Sequence, residues 1–263
     1  MFYQINLESA PRIAIVIPAR MNSERLPNKA LLPFNDLPMI EHVRRRGLLN
    51  SFGVPVFVTT GDNQILDTVE SFGGLVSLSH LDHLNGTSRV HEFSENSDFS
   101  HLLILQGDEI LVLPDQLDSI IASILEHPDV DFWNMVTPLK EPSELSNLSV
   151  VKCLLSQNLE ILSIFRKSPL IADVEIQMGL VHKICGLFAV SRGALSQMAG
   201  LDSTPLEKSE SIEQMKFLEI GRKIRSVTTP LSYPSINLPE DVETVSRVLL
   251  TDSKQAEILK KIL

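Results

Sequence analysis

The sequence alternates short apolar runs with longer amphipathic stretches, and this alternation constrains the fold more than any other feature. Short apolar runs are typical of buried strands, and the stretches between them have the spacing of helices. The pattern therefore predicts an α/β protein. The predicted strands are Ile13–Ile17, Val54–Thr59, Leu75–Leu78, Leu102–Leu105, Phe132–Val136, Val150–Leu155, Ile161–Phe165, Ile184–Val190 and Ile224–Thr228.

Helices are predicted between these strands. The strongest helix signal begins at Thr204, where Thr204 and Glu207 form a capping-box pattern with Pro205 at the first helical position. Apolar residues then recur at mostly helical spacing until Gly221, which predicts one helix over this stretch. The other predicted helices are Met39–Leu49, Asn63–Phe72, Thr87–Phe93 and Pro114–Glu126.

A single domain over residues 1–263 is predicted, because the chain contains no repeat and no linker rich in Pro, Gly or Ser. With 43% hydrophobic residues it can bury a full core. The region 132–190 is dense in predicted strands. We expect it to be a small subdomain inserted in the main sheet.

Charge and composition exclude several classes of protein. A formal net charge of −10 argues against a non-specific nucleic-acid binder. No apolar run approaches the roughly 20 residues that span a bilayer, and residues 1–12 lack the pattern of a signal peptide. Cys153 and Cys185 form no metal or redox motif. These features predict reduced thiols and a cytoplasmic location, with no membrane or nucleic-acid partner.

A cationic loop directly follows the first predicted strand. Arg20, Arg25 and Lys29 place three positive charges on it, although the chain as a whole is acidic. Ligands of open α/β sheets bind outside the carboxyl ends of the strands, so a loop of this charge suits a polyphosphate. The segment has no glycines and is not a Walker loop. A solvated surface loop is the alternative that charge alone leaves open.

An acidic turn follows the fourth predicted strand. Gln106 and Gly107 end the strand and bring Asp108 and Glu109 to the same edge of the sheet. Carboxylates near a triphosphate are natural Mg²⁺ ligands, because Mg²⁺ takes few protein oxygens besides phosphate and water. The alternative is a turn at Gly107 in which both acids are solvated.

Several motifs resemble one enzyme family in the same order along the chain. The segment Arg20–Lys29 resembles the Arg-x-x-Ser-x-Arg-Leu-Pro-x-Lys signature of the bacterial CMP-Kdo synthetases, the 3-deoxy-manno-octulosonate cytidylyltransferases. The segment Gln106–Glu109 resembles their Gln-Gly-Asp-Glu motif. The other segments similar to family motifs are Asp82–Arg89, Pro205–Glu207, Glu213–Gln214, Gly221–Ile224 and Leu238–Asp241.

The resemblance implies a Rossmann-like nucleotidyltransferase fold, with a mixed, mostly parallel central sheet flanked by helices. It also implies a reaction of lipopolysaccharide biosynthesis, in which the anomeric hydroxyl of an acidic sugar attacks the α-phosphate of CTP. CMP-sugar and pyrophosphate are the products. The implied assembly is a homodimer formed partly through the region 132–190.

The resemblance assigns roles to the residues that match positions in the family motifs. The implied nucleotide-binding residues are Ala19, Arg20, Ser23, Arg25, Lys29, Gly86, Thr87 and Arg89. Arg20, Lys29 and Asp108 are the implied catalytic residues. Gln106, Glu213 and Gln214 would contact the sugar. Asp108 and Asn237 would hold Mg²⁺.

The sequence departs from the family pattern on the sugar and metal side. Asn237 stands where the family has a metal-binding Asp, and Ile184–Phe188 lacks the His and Tyr of a His-x-Gly-x-Tyr segment. Three hypotheses stay open. The chain is an active cytidylyltransferase with an altered acidic sugar such as an amino-substituted ulosonate, a non-catalytic nucleotide-binding paralogue, or a nucleotidyltransferase with another base or acidic acceptor.

Overall fold

One large sheet organises the computed structural model, which describes residues 10–23, 25–79, 83 and 85–263. Within these residues nine strands form the sheet, and a separate two-stranded ribbon follows the first strand. The strands are β1 Ile13–Pro18, β2 Pro33–Phe34, β3 Leu37–Pro38, β4 Val56–Thr60, β5 Leu75–Leu78, β6 His101–Leu105, β7 Phe132–Pro138, β8 Lys152–Leu155, β9 Ile161–Phe165, β10 Val181–Ser191 and β11 Arg225–Thr228.

The helices flank this sheet, as the alternation of the sequence predicts. Of the helices in the described part of the chain, none combines the length and the apolar character needed to cross a membrane. They are α1 Met39–Gly47, α2 Asn63–Ser71, α3 Gly86–Glu95, α4 Pro114–Glu126, α5 Ser143–Ser146, α6 Val174–Leu180, α7 Arg192–Ala199, α8 Pro205–Glu210, α9 Met215–Glu219, α10 Pro239–Thr251 and α11 Ser253–Ile262.

The strand order along the main sheet is β11-β7-β10-β6-β1-β4-β5. Strand β1 pairs in parallel with both β4 and β6, and the pairs β4–β5 and β7–β11 are also parallel. Strand β10 runs antiparallel to both of its neighbours in this order. The prediction of a mixed, mostly parallel central sheet flanked by helices is confirmed.

Both faces of the sheet are buried, which explains why its central strands are apolar without interruption. Ile15 and Ile17 of β1 belong to one hydrophobic cluster, with side chains of α1, α4 and α10. Ala14 and Val16 point to the other face and join side chains of α3 and α7. Successive residues of a strand alternate between faces, so one apolar run fills both layers.

The order of the strands brings the two chemically distinctive turns together. The chain goes from β1 to β4 on one side, and later returns to place β6 on the other side. This reversal is a topological switch point, where open α/β sheets bind ligands. Because β1 and β6 are parallel neighbours, the cationic loop after β1 and the acidic turn after β6 leave the sheet at the same edge.

The strand-dense region 132–190 is only partly separate from the main sheet. Its first and last strands, β7 and β10, lie inside the main sheet. The segment between them leaves that sheet, and β8 pairs with the first residues of β10 and with β9. A small cluster of Leu139, Leu145, Phe165 and Val181 packs this segment. The predicted boundaries 132 and 190 therefore include two strands of the central sheet.

The prediction of one continuous helix after Thr204 is wrong. The helix breaks at Ser211, whose φ of 53° lies in the left-handed region, and it resumes as α9. Arg166 fixes the break by donating hydrogen bonds to the carbonyl oxygens of Glu210 and Ser211. A neighbouring strand-end side chain thus overrides a local helical pattern.

The first turn of α8 is also capped differently from the predicted pattern. Glu207 accepts a hydrogen bond from the backbone N–H of Thr204 at 3.1 Å, as a capping box requires. The next donors, the N–H groups of Leu206 and Glu207, are bound by the carboxylate of Glu219 in α9. The break at Ser211 is what allows α9 to fold back and supply this carboxylate.

The substitution Ser211→Gly should raise the free energy of unfolding by up to about 1 kcal/mol, because glycine adopts positive φ without a steric cost. Chemical denaturation measures this change. The matched control is Ser209→Gly, two residues earlier in α8, where glycine should lower stability by about 1 kcal/mol. Equal destabilisation by both substitutions would contradict the left-handed break.

Candidate active site

Two adjoining cavities lie at the edge of the sheet where the two turns meet. The first has a volume of about 390 Å³ and is lined by the cationic loop, the start of α3 and the acidic turn. The second has a volume of about 370 Å³ and is lined by the same acidic turn, by β10 and by residues 232–235. Gln106 lines both cavities. The turn after β6 is therefore the boundary between them.

Most of the predicted site residues converge on the first cavity. They come from four segments far apart in sequence, which the fold brings together at the switch point. Those that line this cavity are Ala19, Arg20, Ser23, Arg25, Lys29, Gly86, Arg89, Gln106, Asp108 and Asn237. His80, Asp82 and Leu84, which belong to or precede the segment Asp82–Arg89, lie outside the described residues.

Lys29 is held at the centre of this charge arrangement. Its Nζ lies 2.9 Å from Oδ2 of Asp108 and 3.0 Å from the carbonyl oxygen of Ile236. Asn28 precedes it with a left-handed φ of 58° and starts the 3₁₀ turn that carries Lys29. The loop is anchored by Asp62, which accepts a hydrogen bond from the N–H of Met21 at 2.8 Å. Lys29 therefore links the loop after β1 to the turn after β6.

Asn237 reaches the first cavity from the start of α10. Its Oδ1 accepts a hydrogen bond from Arg25 Nη2 at 3.4 Å, and its Nδ2 donates to Ser235 Oγ at 3.0 Å. The carboxylate of Asp241 accepts from the N–H groups of Asn237 and Leu238, each at 2.7 Å. The second of these bonds satisfies the N–H of Leu238 at the start of the helix, although the Leu238 side chain has no oxygen that could cap it.

The oxygen atoms at this point fit a hard cation. Asp108 offers a carboxylate and Asn237 an amide oxygen, both at the wall of the first cavity. No cluster of three or more His, Cys, Asp or Glu side chains suited to a metal occurs in the described ranges. A donor set this small suits Mg²⁺, which completes its shell with phosphate oxygens and water.

Thr87 and Glu213 pair with each other rather than lining the first cavity. Thr87 donates from Oγ1 to the Glu213 carboxylate at 2.8 Å, and Asn85 Nδ2 donates to it at 3.1 Å. Burial raises the pKa of Glu213, and the Thr87 hydrogen bond opposes part of that rise. This contact joins the start of α3 to the segment before α9, next to Gln214, which lines the second cavity.

Asp108 and Glu109 enter different cavities, although the sequence predicts both at one shared edge. Asp108 lines the first cavity and Glu109 the second. Glu109 is only partly exposed, and burial raises its pKa to about 8, with the nearby charge of Asp108 adding to the rise. The N–H of Gly186 faces its carboxyl group and opposes part of that rise. The carboxyl group that faces the second cavity is therefore protonated more readily than that of a free glutamate.

Gly186 joins β10 to the acidic turn through both of its backbone polar groups. Its carbonyl oxygen accepts a hydrogen bond from the N–H of Gln106 at 3.3 Å, while its own N–H faces Glu109. The register between β10 and β7 shifts between Ile184 and Phe188, around this glycine. A Cβ placed on Gly186 would lie 2.2 Å from Glu109 Oε1. A side chain at this position would therefore displace the carboxyl group.

The predicted site residues leave several members of the second cavity unnamed. Glu109 belongs to the motif Gln106–Glu109, and Lys183 directly precedes the segment Ile184–Phe188. Both residues could therefore have been identified from the sequence. Tyr233 also lines the cavity but lies on the irregular segment after β11, where no periodicity marks it. His182 contacts the carbonyl oxygen of Leu180 and does not line the cavity.

The two cysteines are free, and neither is suited to nucleophilic chemistry. Burial raises the pKa of Cys153 to about 12, and it does the same for Cys185, which lines the second cavity. A thiol with such a pKa is almost entirely protonated near neutral pH. Cys185 therefore contributes a small apolar surface to the cavity wall.

A mixed sheet with a cationic loop facing an acidic turn at its switch point defines a nucleotidyltransferase. The inositol-1-phosphate CTP transferase from T. maritima has the same fold, with a TM-score of 0.63 at 17% identity over 96% of each chain. The cytidylyltransferase family model matches residues 14–224, and the chain belongs to this family.

Close relatives cover nearly the whole chain. The 3-deoxy-manno-octulosonate cytidylyltransferase of Chlorobium limicola is 35% identical over 238 residues, which are 89% of this chain and 96% of the relative. The 8-amino-3,8-dideoxy-manno-octulosonate cytidylyltransferase of Shewanella woodyi is 31% identical over 91% of this chain and 99% of its own. A solved CMP:2-keto-3-deoxy-manno-octonic acid synthetase complexed with CTP has a TM-score of 0.86 at 28% identity, covering 90% and 98% of the two chains.

The substitution Gly186→Ala should lower the free energy of unfolding by about 2 kcal/mol or more, because the new methyl group displaces a buried carboxyl group. Chemical denaturation measures the loss. Gly193→Ala is the matched control, since a Cβ there meets no atom within 4 Å. The double variant Gly186→Ala/Glu109→Ala should recover stability relative to Gly186→Ala alone. A loss that Glu109→Ala does not relieve would contradict the contact.

Proposed function

We propose that this cytidylyltransferase transfers CMP from CTP to a 3-deoxy-ulosonic acid sugar and releases pyrophosphate. The observation that carries this proposal is the shared wall of the two cavities. Gln106 lines both, with the cationic loop on one side and Glu109, Lys183 and Gln214 on the other. Two substrates bound in adjoining cavities can meet at this turn, and holding them in alignment is a large part of catalysis.

The first cavity suits the nucleotide. Arg20, Arg25 and Lys29 would bind the phosphate oxygens, with Ser23 and the backbone at Ala19 beside them. A Cβ on Gly86 would lie 3.0 Å from Pro18, so this glycine lets the start of α3 approach the end of β1. Cytosine and ribose would bind along Gly86 and Arg89, close to Thr87.

The chemistry requires charge neutralisation and alignment, and no covalent enzyme intermediate. The anomeric hydroxyl gives its proton to solvent and its oxygen forms a bond to the α-phosphorus, while the bond to the pyrophosphate oxygen breaks and pyrophosphate leaves. Arg20 and Lys29 would neutralise charge on the phosphates during this exchange. Asp108 and Asn237 would hold Mg²⁺, which supplies further positive charge to the phosphates when bound. Lys29, now paired with Asp108 at 2.9 Å, would exchange that partner for phosphate.

The second cavity suits the acceptor sugar. Gln106 and Gln214 offer amide groups to its hydroxyls, and Glu213 stands beside Gln214. The wall formed by Ile184, Leu187 and Phe188 is more apolar than the His-x-Gly-x-Tyr segment of the family would make it. The acceptor is therefore a ulosonic acid altered at the groups that meet this wall. An amino-substituted ulosonate, of the type named for the Shewanella relatives, is one such acid.

The surface of the segment between β7 and β10 indicates a protein partner. It carries large apolar side chains that are half exposed or more, which is typical of an interface. We infer a homodimer formed through this segment, and a cytoplasmic enzyme. The exposed residues are Leu148, Leu162, Ile171, Val174, Ile176 and Leu180.

A pyrophosphate-release assay tests the proposed reaction. CTP, UTP, ATP and GTP are each paired with a panel that contains 3-deoxy-manno-octulosonate and its 8-amino analogue. CTP should be the active nucleotide. Asp108→Asn should lower kcat/KM by about 100-fold or more, because the turn loses its negative charge. Asp129→Asn, at an exposed position, should leave the rate unchanged.

The same assay separates the three hypotheses for the chain. CTP binding without pyrophosphate release for any acid would favour a non-catalytic paralogue. Release with a nucleotide other than CTP would favour the third hypothesis. Full activity of Asp108→Asn would contradict the assigned role of the acidic turn.

The substitution Asn237→Asp should lower the half-saturating Mg²⁺ concentration by about tenfold, because a carboxylate binds Mg²⁺ better than an amide. Titration with Mn²⁺, followed by electron paramagnetic resonance, measures the affinity without turnover. Asn158→Asp adds the same charge at an exposed position and should leave the affinity unchanged. Superimposable titrations of Asn237→Asp and the parent protein would place Asn237 away from the ion.

A further inference from the structure

The helix α11 supports a wall of the second cavity from behind. Gln255, in the first turn of α11, is fully buried, and its Nε2 donates a hydrogen bond to the carbonyl oxygen of Leu111 at 2.8 Å. Leu111 lines the second cavity. Among the described residues that line the two cavities, none belongs to α11. Gln255 therefore holds the cavity wall without lining the cavity itself.

A second helix holds the next carbonyl group of the same wall. Arg46 of α1 is also fully buried, and its Nη1 donates to the carbonyl oxygen of Val112 at 3.1 Å. Leu111 and Val112 lie between β6 and α4 and belong to neither element. Buried carbonyl groups need hydrogen-bond partners, and here side chains of two helices supply them. The position of this wall thus depends on how α1 and α11 dock.

Tyr233, in another part of the cavity wall, is also held by α11. Tyr233 lies on the irregular segment after β11 and packs against Ile258, Leu259 and Ile262 of α11. Burial raises the pKa of the Tyr233 hydroxyl, and the nearby carboxylate of Asp252, the N-cap of α11, adds to the rise. The hydroxyl oxygen is enclosed. It therefore faces α11, while the rest of the side chain forms cavity wall.

Both ends of α11 are fixed. In the first turn, the Asp252 side chain caps the helix by accepting a hydrogen bond from the N–H of Gln255 at 3.0 Å. This cap fixes the backbone of Gln255 and leaves its side-chain amide for Leu111. In the last turn, Arg45 of α1 donates a hydrogen bond to the carbonyl oxygen of Ile262. The helix therefore presents the Gln255 amide in a defined position.

The first cavity is supported by different contacts. Lys29 binds Asp108, and Asp62 anchors the loop after β1. Asp241 of α10 accepts a hydrogen bond from the N–H of Asn237. These contacts come from the loop after β1, the start of α2 and the start of α10. A loss of support at α11 should therefore act on the acceptor side and leave the nucleotide side in place.

We propose that Gln255 is a positioning residue for the acceptor and acts through the wall at Leu111. It contacts no substrate, and it keeps the second cavity in the shape that binds the sugar. Acceptor binding and the docking of α11 are then coupled. Such coupling is reciprocal, so a bound acceptor stabilises the docked helix. This assignment rests on the proposed function and adds to it the part of the fold that maintains the acceptor side.

The first test compares Gln255→Met with the parent protein in the pyrophosphate-release assay. Methionine keeps the length of the side chain but donates no hydrogen bond. The KM of the ulosonic acid should rise about fivefold, because the wall is correctly placed in only a fraction of the molecules. The kcat and the KM of CTP should stay unchanged. Gln64→Met, at an exposed position of α2, is the matched control and should change neither KM.

A second measurement needs no variant. The parent protein is saturated with α,β-methylene-CTP, which cannot release pyrophosphate, and the ulosonic acid is then added. Hydrogen exchange followed by mass spectrometry should become slower in Ser253–Ile262 on addition of the acid, because the acceptor stabilises the docked helix. The nucleotide analogue alone should not slow it. Peptides of Asn63–Ser71 should show no further change when the acid is added.

The outcomes separate the role of Gln255 from the proposed function. Three results overturn this role while the reaction stands: an unchanged KM for the acid in Gln255→Met, an equal rise of both KM values, or exchange in α11 that is the same with and without the acid. A parent protein that neither turns over nor binds any ulosonic acid overturns both. If Gln255→Met is too unstable for kinetics, hydrogen exchange of the parent protein decides the proposal.

Discussion

Gly186 and the turn after β6 are held in close contact at the backbone of the glycine. The carbonyl oxygen accepts from the N–H of Gln106, and the N–H faces the carboxyl group of Glu109. The turn therefore has a fixed orientation in which Asp108 faces one cavity and Glu109 the other. The separation of the nucleotide side from the acceptor side depends on this contact, since a side chain at residue 186 would displace the carboxyl group.

The lysines that line the two cavities are each paired with an acidic side chain. Lys29 bridges Asp108 and the segment that carries Asn237, and Lys183 is oriented by Glu144. Each ammonium group is thus held by an anionic partner in the free protein. Oxygen atoms of a ligand can take the same place. Pairing of this kind keeps the cations in position before the substrates arrive, which is the electrostatic preorganisation that catalysis requires.

The central strands β1 and β6 were predictable because burial on both faces makes each one a continuous apolar run. The partly exposed strands Leu75–Leu78 and Ile161–Phe165 also have the predicted bounds. The site could be approached from sequence because the turns after β1 and β6 carry distinctive polar residues. The break at Ser211 could not be predicted, since Arg166 is 45 residues away in sequence. Neither could the boundaries of the inserted segment, because periodicity does not reveal which strands pair.

The sequence by itself determined the α/β class, the polar residues of the two turns and the order of the family motifs, because these are local patterns of hydrophobicity and charge. Only the tertiary structure decided which of those residues share a cavity. It separated Asp108 from Glu109, paired Thr87 with Glu213, and brought Lys183 into the second cavity. These relations depend on strand order and on the shift in β10 register around Gly186, which arise from contacts between segments distant along the chain.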